Sequence, residues 1–143
     1  LIFLFKYNIM FCHETNFRVR YAETDKMGYV YYGVYAQYYE VGRVELLRSL
    51  GVSYKSLEEI GFELPVINFN INYLKPAFYD DNLILKTCIK SLPTSKIMFF
   101  YECFNEKKVL LNQGEVTLVF VNSKTKKACK PPQIIIDNLE NFL

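Results

Sequence analysis

Apolar and polar residues alternate through much of the second half of the chain, and this pattern predicts four strands. Residues 67–73 alternate strictly between apolar side chains and asparagines, and residues 83–89 repeat the alternation. Residues 97–104 are almost continuously apolar, which predicts a strand that is buried on both faces. Residues 109–121 are long enough for a bent or bulged strand, with Gly114 at the predicted irregularity. Because only short turns separate these segments, we expect antiparallel neighbours.

The first half of the chain predicts one strand and two helices. Residues 17–21 alternate as in a half-buried strand, and from about Tyr32 the apolar spacing becomes helical. Gly51 is a natural end for this long helix, and residues 52–61 predict a short helix that Ser53 caps. The predicted buried side of the long helix carries Tyr35, Tyr38, Tyr39, Gly42, Leu46, Ser49 and Leu50. The order of elements predicts an α+β fold, in which an antiparallel five-stranded sheet wraps around one long central helix, with a short second helix.

Length and composition narrow the classes of function. The 143 residues fit one domain, which we assign to residues 10–143, with residues 1–9 as an upstream extension before Met10. That extension is too short to span a bilayer and lacks the basic start of a signal peptide, so we expect no membrane span. A net charge of +2 without a basic, aromatic-rich patch argues against nucleic-acid binding. Twelve Tyr and twelve Phe indicate subunit contacts or an apolar groove.

The cysteines and the single histidine do not form the clusters that metal sites need. The four cysteines are far apart in the sequence, and His13 is the only histidine. We therefore predict reduced thiols in a cytoplasmic protein, with no metal and no cofactor.

The stretch "RYAETDKMGYVYYGVYAQYYEVGRVE", residues 20–45, carries the candidate chemistry. Asp25 lies in a polar loop with Gly28, directly ahead of the long helix. A loop aspartate taken alone is more often a turn or capping residue. A helix N-terminus, however, presents unpaired N–H groups that suit an oxyanion, and a carboxylate beside it stays ionised. The functional alternative is a catalytic carboxylate held beside this helix start.

Residues 21–45 resemble the signature of 4-hydroxybenzoyl-CoA thioesterase-like hot-dog proteins. They look most like the acyl-CoA thioesterase branch found with the bacterial Tol-Pal envelope system. The likeness consists of the Thr-Asp pair, the glycine after Lys-Met, the paired tyrosines and the Glu-x-x-Arg helix, and it extends to the later "INYLKPAFYDDNL". It covers about residues 15–125. The resemblance implies a hot-dog fold, a homodimer or homotetramer, and acyl-CoA sites at the subunit interface.

The resemblance also implies roles for individual residues. Asp25 would be the catalytic carboxylate, as nucleophile or as base for water, and the N–H groups of Tyr32 and Gly33 would polarise the thioester carbonyl. Gly28 would let the loop turn under the substrate. The further candidates for substrate binding are Tyr31, Tyr38, Glu40, Lys90 and Lys96.

Each of these substrate-binding candidates has a structural alternative. Tyr31 and Tyr38 line the acyl pocket or pack in the core, and Glu40 faces that pocket or pairs with Arg43 on the helix. Lys90 and Lys96 contact CoA phosphates or are solvated surface residues.

The chain departs from the family pattern at the start of the helix. Many members carry His-x-Asn there, whereas this chain has Tyr32 and Val34, so a histidine-assisted mechanism is not expected. The basic cluster that some relatives use for CoA phosphates is also reduced. An acyl-acyl-carrier-protein thioesterase and a non-catalytic acyl-binding module therefore remain alternatives to an acyl-CoA thioesterase. A dehydratase is disfavoured, because His13 lies outside the motif.

Overall fold

The computed structural model describes residues 11–142, so the predicted extension at residues 1–9 lies outside the described residues. A 3₁₀ turn, Tyr21–Glu23, follows the first strand along the chain. The helices and strands are β1 (Phe11–Arg18), α1 (Val34–Ser49), α2 (Tyr54–Glu59), β2 (Phe62–Glu63), β3 (Val66–Tyr73), β4 (Asn82–Ile89), β5 (Lys96–Phe104), β6 (Leu110–Val119), β7 (Val121–Asn122) and α3 (Gln133–Glu140). None of the helices among residues 11–142 is long and apolar enough to cross a membrane.

The main sheet confirms the predicted architecture. Its five strands lie in the order β1-β4-β5-β6-β3, and every neighbouring pair is antiparallel. The long helix α1 packs on one face through a closely spaced contact at Gly42, where a Cβ would lie 2.7 Å from a methyl of Leu85. The rings of Tyr39 and Tyr101 stack at 4.1 Å between helix and sheet. The predicted short helix is also present, and the Ser53 hydroxyl caps it by accepting from the Ser56 N–H.

Three details of the predicted sheet are wrong. The first strand ends at Arg18, because Tyr21–Glu23 turns away as a 3₁₀ turn. Strand β5 is buried on one face only, with Met98 exposed on the other, because a single helix layer covers the sheet. Pairing runs through Gly114 without a register shift. Gly114 instead permits close packing, since a Cβ there would clash with the Asn70 carbonyl and meet the Tyr39 ring.

Two features of the fold were not predicted. Strands β2 and β7 form a separate two-stranded ladder. Helix α3 follows Pro132 and buries Ile135 and Leu139, and the Asn138 amide donates to the Leu50 carbonyl at 2.6 Å. The segment between the main sheet and this helix is rich in lysine and polar residues. It was therefore interpreted as the end of the sheet, and the short amphipathic helix after it was not predicted.

The prediction of four reduced thiols is wrong for two of them. Cys12 and Cys88 form a disulfide across β1 and β4, where the register places them directly opposite each other. Their separation of 76 residues gives no sequence signal, because only the strand register brings them together. Cys103 and Cys129 are free thiols.

Candidate active site

Asp25 lies in a small hairpin, residues 24–30, which we call the Asp25 hairpin. Thr24 pairs with Val30, and the Asp25 N–H donates to the Tyr29 carbonyl at 2.8 Å. Gly28 closes the turn by donating to the Asp25 carbonyl at 3.0 Å, and its φ of +82° is a conformation that favours glycine. The loop glycine predicted from the sequence therefore has a backbone role at this turn.

The Asp25 carboxylate is held by backbone groups of its own hairpin. Its Oδ1 accepts from the N–H of Met27 at 2.9 Å and from that of Tyr29 at 3.2 Å. Its Oδ2 has no protein donor among residues 11–142. One carboxylate oxygen is thus fixed, and the other is available to a bound molecule.

The hairpin is attached to the fold on two sides. The Val30 N–H donates to the Ala77 carbonyl at 2.8 Å, in the loop that follows β3. The Tyr31 N–H donates to the Glu23 carbonyl at 2.9 Å, so the hairpin is also tied to the preceding 3₁₀ turn. These contacts hold Asp25 beside the first residues of α1.

Helix α1 begins with free backbone donors. Gly33 is its N-cap and supplies no side-chain cap, while the Val34 N–H turns back to the Tyr31 carbonyl. Within the described residues, the N–H groups of Tyr32 and Gly33 donate to no protein acceptor. The Tyr73 hydroxyl donates to the Tyr32 carbonyl at 2.9 Å and fixes this peptide. Free N–H groups at a helix start attract negative charge.

A cavity of about 310 Å³ brings Asp25 and Tyr32 together. Its walls come from the Asp25 hairpin, the start of α1, and the end of β3 with the loop after it. The lining residues are Asp25, Met27, Tyr29, Val30, Tyr32, Tyr35, Tyr73, Leu74, Lys75 and Pro76. Burial raises the pKa of Tyr35 far above its usual value, so its hydroxyl is neutral at physiological pH. The site thus joins a charged oxygen and free N–H groups to a largely aromatic wall.

All six residues predicted to bind substrate lie outside this cavity's walls: Gly28, Tyr31, Tyr38, Glu40, Lys90 and Lys96. Gly33, a predicted oxyanion donor, is not among the lining residues either. Tyr31 is exposed and packs its ring on Tyr32 at 4.7 Å. Tyr38 is buried, and its hydroxyl donates to the Glu23 carboxylate at 2.9 Å. Glu40 is exposed on α1.

The alternative predicted for Glu40, a salt bridge to Arg43, is also missing among residues 11–142. Arg43 is buried and donates to the Tyr54 hydroxyl at 3.1 Å instead. The Glu45–Arg48 pair one turn further along is formed at 3.4 Å.

The two predicted phosphate contacts lie elsewhere on the sheet. Lys90 follows β4, and its Nζ is 3.9 Å from the centre of the Phe100 ring. It lines a second cavity of about 570 Å³, whose walls include Asn70, Asn72 and Gln113. Lys96 is exposed at the start of β5. The structure therefore does not bring either lysine to the Asp25 cavity.

Sequence reasoning missed the wall contributed by Tyr73, Leu74, Lys75 and Pro76. The stretch was visible as the "INYLKPAFYDDNL" part of the family likeness, but only the fold shows that β3 ends beside the Asp25 hairpin. Within residues 11–142, no group of three His, Cys, Asp or Glu side chains could hold a metal ion.

The comparisons with known proteins identify the family of this chain. The sequence profile described as the thioesterase-like superfamily matches residues 19–139. The chain belongs to the thioesterase-like superfamily. Its hot-dog fold is the one predicted, and it is a thioester hydrolase.

Within this superfamily, similar proteins match over nearly their whole length. The chain is 38% identical over 124 residues to YneP of Bacillus subtilis, covering 87% of this chain and 88% of that protein. It is 33% identical over 121 residues to the acyl-CoA thioester hydrolase YbgC of Escherichia coli O157:H7, covering 84% of this chain and 90% of YbgC. Among solved structures, the DHNA-CoA thioesterase of Staphylococcus aureus superposes with a TM-score of 0.84 at 36% identity, covering 90% and 87% of the two chains.

Proposed function

We propose that this protein is an acyl-CoA thioesterase that hydrolyses the thioester to a free acid and CoA, with Asp25 as its catalytic carboxylate. The observation that carries the proposal is the shared cavity of Asp25 and Tyr32 at the start of α1. One oxygen of Asp25 has no protein donor among the described residues, and the neighbouring N–H groups have no protein acceptor there. The names of the hydrolases similar to this chain support the acyl-CoA class.

In the proposed mechanism, the thioester carbonyl lies between Asp25 and the N–H groups of Tyr32 and Gly33. Those donors stabilise the oxyanion that forms when the carbonyl is attacked. As a base, Asp25 takes a proton from water, the resulting hydroxide adds to the carbonyl carbon, and the C–S bond breaks to release the CoA thiolate. As a nucleophile, Asp25 forms an acyl anhydride and expels the thiolate, and water then hydrolyses the anhydride. Both routes give the same products.

The aromatic wall of the cavity suits the acyl group. Tyr29, Tyr35 and Tyr73 present rings, and Pro76 adds an apolar edge. Lys75 is exposed and is the cation among the residues that line this cavity, so we assign it the contact with the CoA phosphates. That contact was predicted from the sequence for Lys90 and Lys96. The roles of Tyr31, Tyr38 and Glu40 in substrate binding stay predictions.

We further propose that two chains pair through β3, as a homodimer or within a homotetramer. Strand β3 is an edge of the main sheet, and Ile67, Phe69 and Tyr73 are 51%, 39% and 47% exposed. An edge strand with exposed apolar side chains favours pairing with another strand. Because Tyr73 and the residues after it line the cavity, such a dimer would place a partner beside the acyl site.

Thiol release from a panel of acyl-CoA thioesters tests the proposed function. Wild type should release CoA from at least one aliphatic or aryl ester, and Asp25→Asn should lower kcat by at least about a hundredfold. The matched control is Asp137→Asn on α3, an exposed carboxylate whose one hydrogen bond among residues 11–142 comes from the Gln133 side chain, and it should keep full activity. Acyl-carrier-protein esters form the second panel. Release from that panel alone would select the alternative substrate, and silence on both panels would favour the binding module.

Two finer proposals concern the branch and the compartment. We propose that the chain belongs to the Tol-Pal-associated branch of 4-hydroxybenzoyl-CoA thioesterase-like proteins. The support is the Thr-Asp and Glu-x-x-Arg signature in residues 21–45. We also keep a cytoplasmic location, although the Cys12–Cys88 disulfide is unusual for a reducing compartment. Thiol titration of the protein immediately after cell lysis would measure how much of this pair is oxidised in the cell.

A further inference from the structure

Glu23 is a buried carboxylate that lies next to the Asp25 hairpin but does not line the cavity. It is 7% exposed and only two residues ahead of Asp25. Its Oε1 accepts from the Arg20 N–H at 2.7 Å and from the Tyr38 hydroxyl at 2.9 Å, and its Oε2 accepts from the Arg20 guanidinium at 3.0 Å. Burying a charged carboxylate costs free energy unless hydrogen bonds compensate for the lost water. Because these three donors compensate for it, they also hold the carboxylate in one position.

The same residue also binds the hairpin through its backbone. The Glu23 carbonyl accepts the Tyr31 N–H at 2.9 Å, and Tyr31 directly precedes the free N–H groups of Tyr32 and Gly33. Glu23 is therefore connected in two directions: to Asp25 along the chain, and to the oxyanion donors through Tyr31. The Tyr38 hydroxyl adds a link to the second turn of α1.

Glu23 is ionised while it makes these contacts. Burial disfavours its charged form, but the hydrogen bonds from Arg20 and Tyr38 outweigh burial and lower the pKa of the carboxyl. An ionised carboxylate only accepts hydrogen bonds, so all of its partners point their donors at it.

We propose that Glu23 is a positioning residue, which fixes Asp25 relative to the N–H groups of Tyr32 and Gly33. The inference rests on the proposed function, because it concerns the geometry of the same reaction. Catalysis by a carboxylate and an oxyanion site depends on their separation, and an error of about 1 Å costs on the order of a hundredfold in rate. Glu23 touches neither substrate nor reacting atoms. It acts by fixing the distance between the Asp25 carboxylate and the N–H groups of Tyr32 and Gly33.

Three variants separate positioning from general stability. Glu23→Ala removes every side-chain contact, and we expect kcat to fall by about ten- to a hundredfold while KM changes by less than about threefold. Glu23→Gln keeps acceptor oxygen for the Arg20 N–H and Tyr38 hydroxyl, and should recover most of the lost kcat. Leu139→Ala in α3, remote from the hairpin, should lower the Tm through a cavity in the core yet keep the wild-type kcat.

Hydrogen exchange gives a readout that does not depend on turnover. In Glu23→Ala, the Tyr31 amide should exchange at least about tenfold faster than in wild type, whereas Leu139→Ala should leave it unchanged. If Glu23→Ala does not fold, Tyr38→Phe removes one donor and should give a smaller change in the same direction. Wild-type exchange at Tyr31 in Glu23→Ala and Tyr38→Phe, or wild-type kcat in Glu23→Ala, would overturn the positioning role. If wild type hydrolyses no thioester, the proposed function fails, and the exchange data alone still decide whether Glu23 holds the hairpin.

Discussion

Tyrosines occur in two regions of this molecule, and they serve different purposes in each. Under α1, the rings of Tyr39 and Tyr101 are almost fully buried and stack with an interplanar angle of 9°. Around the Asp25 hairpin, Tyr21 and Tyr32 are 77% and 64% exposed, and their rings pack at the surface on those of Tyr79 and Tyr31, respectively. One residue type therefore builds both the rigid interior and the open rim of the site.

The difference lies in what each region requires of the hydroxyl and of the ring. In the core, the ring contributes buried area, and a buried hydroxyl usually has a partner. Tyr39 donates to Asn112 at 2.7 Å, whereas the Tyr101 hydroxyl has no hydrogen-bond partner among residues 11–142. At the hairpin, water can satisfy the hydroxyl, and the exposed ring is available to a ligand or a partner chain. We therefore expect substitutions under α1 to change mainly stability, and substitutions at the hairpin to change mainly turnover.

The largest expected effect is a loss of stability in Gly114→Ala. Gly114 lies in β6 under Tyr39, and an added Cβ would clash with the backbone carbonyl of Asn70. Backbone cannot move aside as a flexible side chain can, so we expect a loss of about 3 kcal/mol, or roughly 10 °C in Tm. Thermal unfolding followed by circular dichroism measures it.

Gly28→Ala in the hairpin is the matched glycine. A Cβ there meets open space, so only the positive φ opposes alanine, at a cost of about 1 kcal/mol. The turn that presents Asp25 should shift, so kcat should fall more in Gly28→Ala than in Gly114→Ala measured below its Tm. Equal losses of Tm in the two variants would remove the distinction between core and hairpin.

A medium effect on stability is expected from Tyr39→Phe. The change keeps the stacked ring but removes the donor to Asn112, whose Nδ2 already has no partner among residues 11–142. Leaving a buried amide unsatisfied costs about 1–3 kcal/mol. Urea unfolding of the variant should show a lower midpoint at an unchanged slope. An unchanged midpoint would mean that Asn112 finds another partner, such as a buried water.

Acid should weaken the link between the two regions. The pKa of Glu23 is lowered from its ordinary value of 4.5, so its ionised form stabilises the folded state above that value. This contribution is present at neutral pH and is lost as the pH falls below 4.5 through the folded-state pKa. The difference in Tm between wild type and Glu23→Gln should therefore shrink on acidification from pH 6 to pH 3. A constant difference would show that the charge of Glu23 contributes nothing to stability.

The sequence predicts the elements that have a local pattern, and it does not predict the features that depend on contacts between distant segments. The period of two in residues 67–73 and the helical spacing from Tyr35 to Leu50 are local signals, and both elements are confirmed. The wall formed by Tyr73 and Pro76 and the Cys12–Cys88 disulfide depend on which strands become neighbours, so no local pattern contains them. Asp25 was found through its motif. The contacts of Glu23 were missed. In the sequence, Arg20 and Glu23 look like any exposed arginine–glutamate pair, and only the structure shows that Glu23 is buried.

The smallest expected effect belongs to Tyr31→Phe, and it tests the boundary between the regions. The Tyr31 ring is about half exposed, packs on Tyr32, and lies outside the cavity wall, whereas Tyr32 lines it. Loss of a solvated hydroxyl should change stability by less than about 0.5 kcal/mol, and KM for the best thioester should stay within about twofold of wild type. Tyr32→Phe is the control, since Tyr32 lines the cavity. A large rise of KM in Tyr31→Phe would assign Tyr31 to the substrate site, one of the two alternatives predicted from the sequence. It would also mean that the acyl group extends beyond the cavity over the exposed rings.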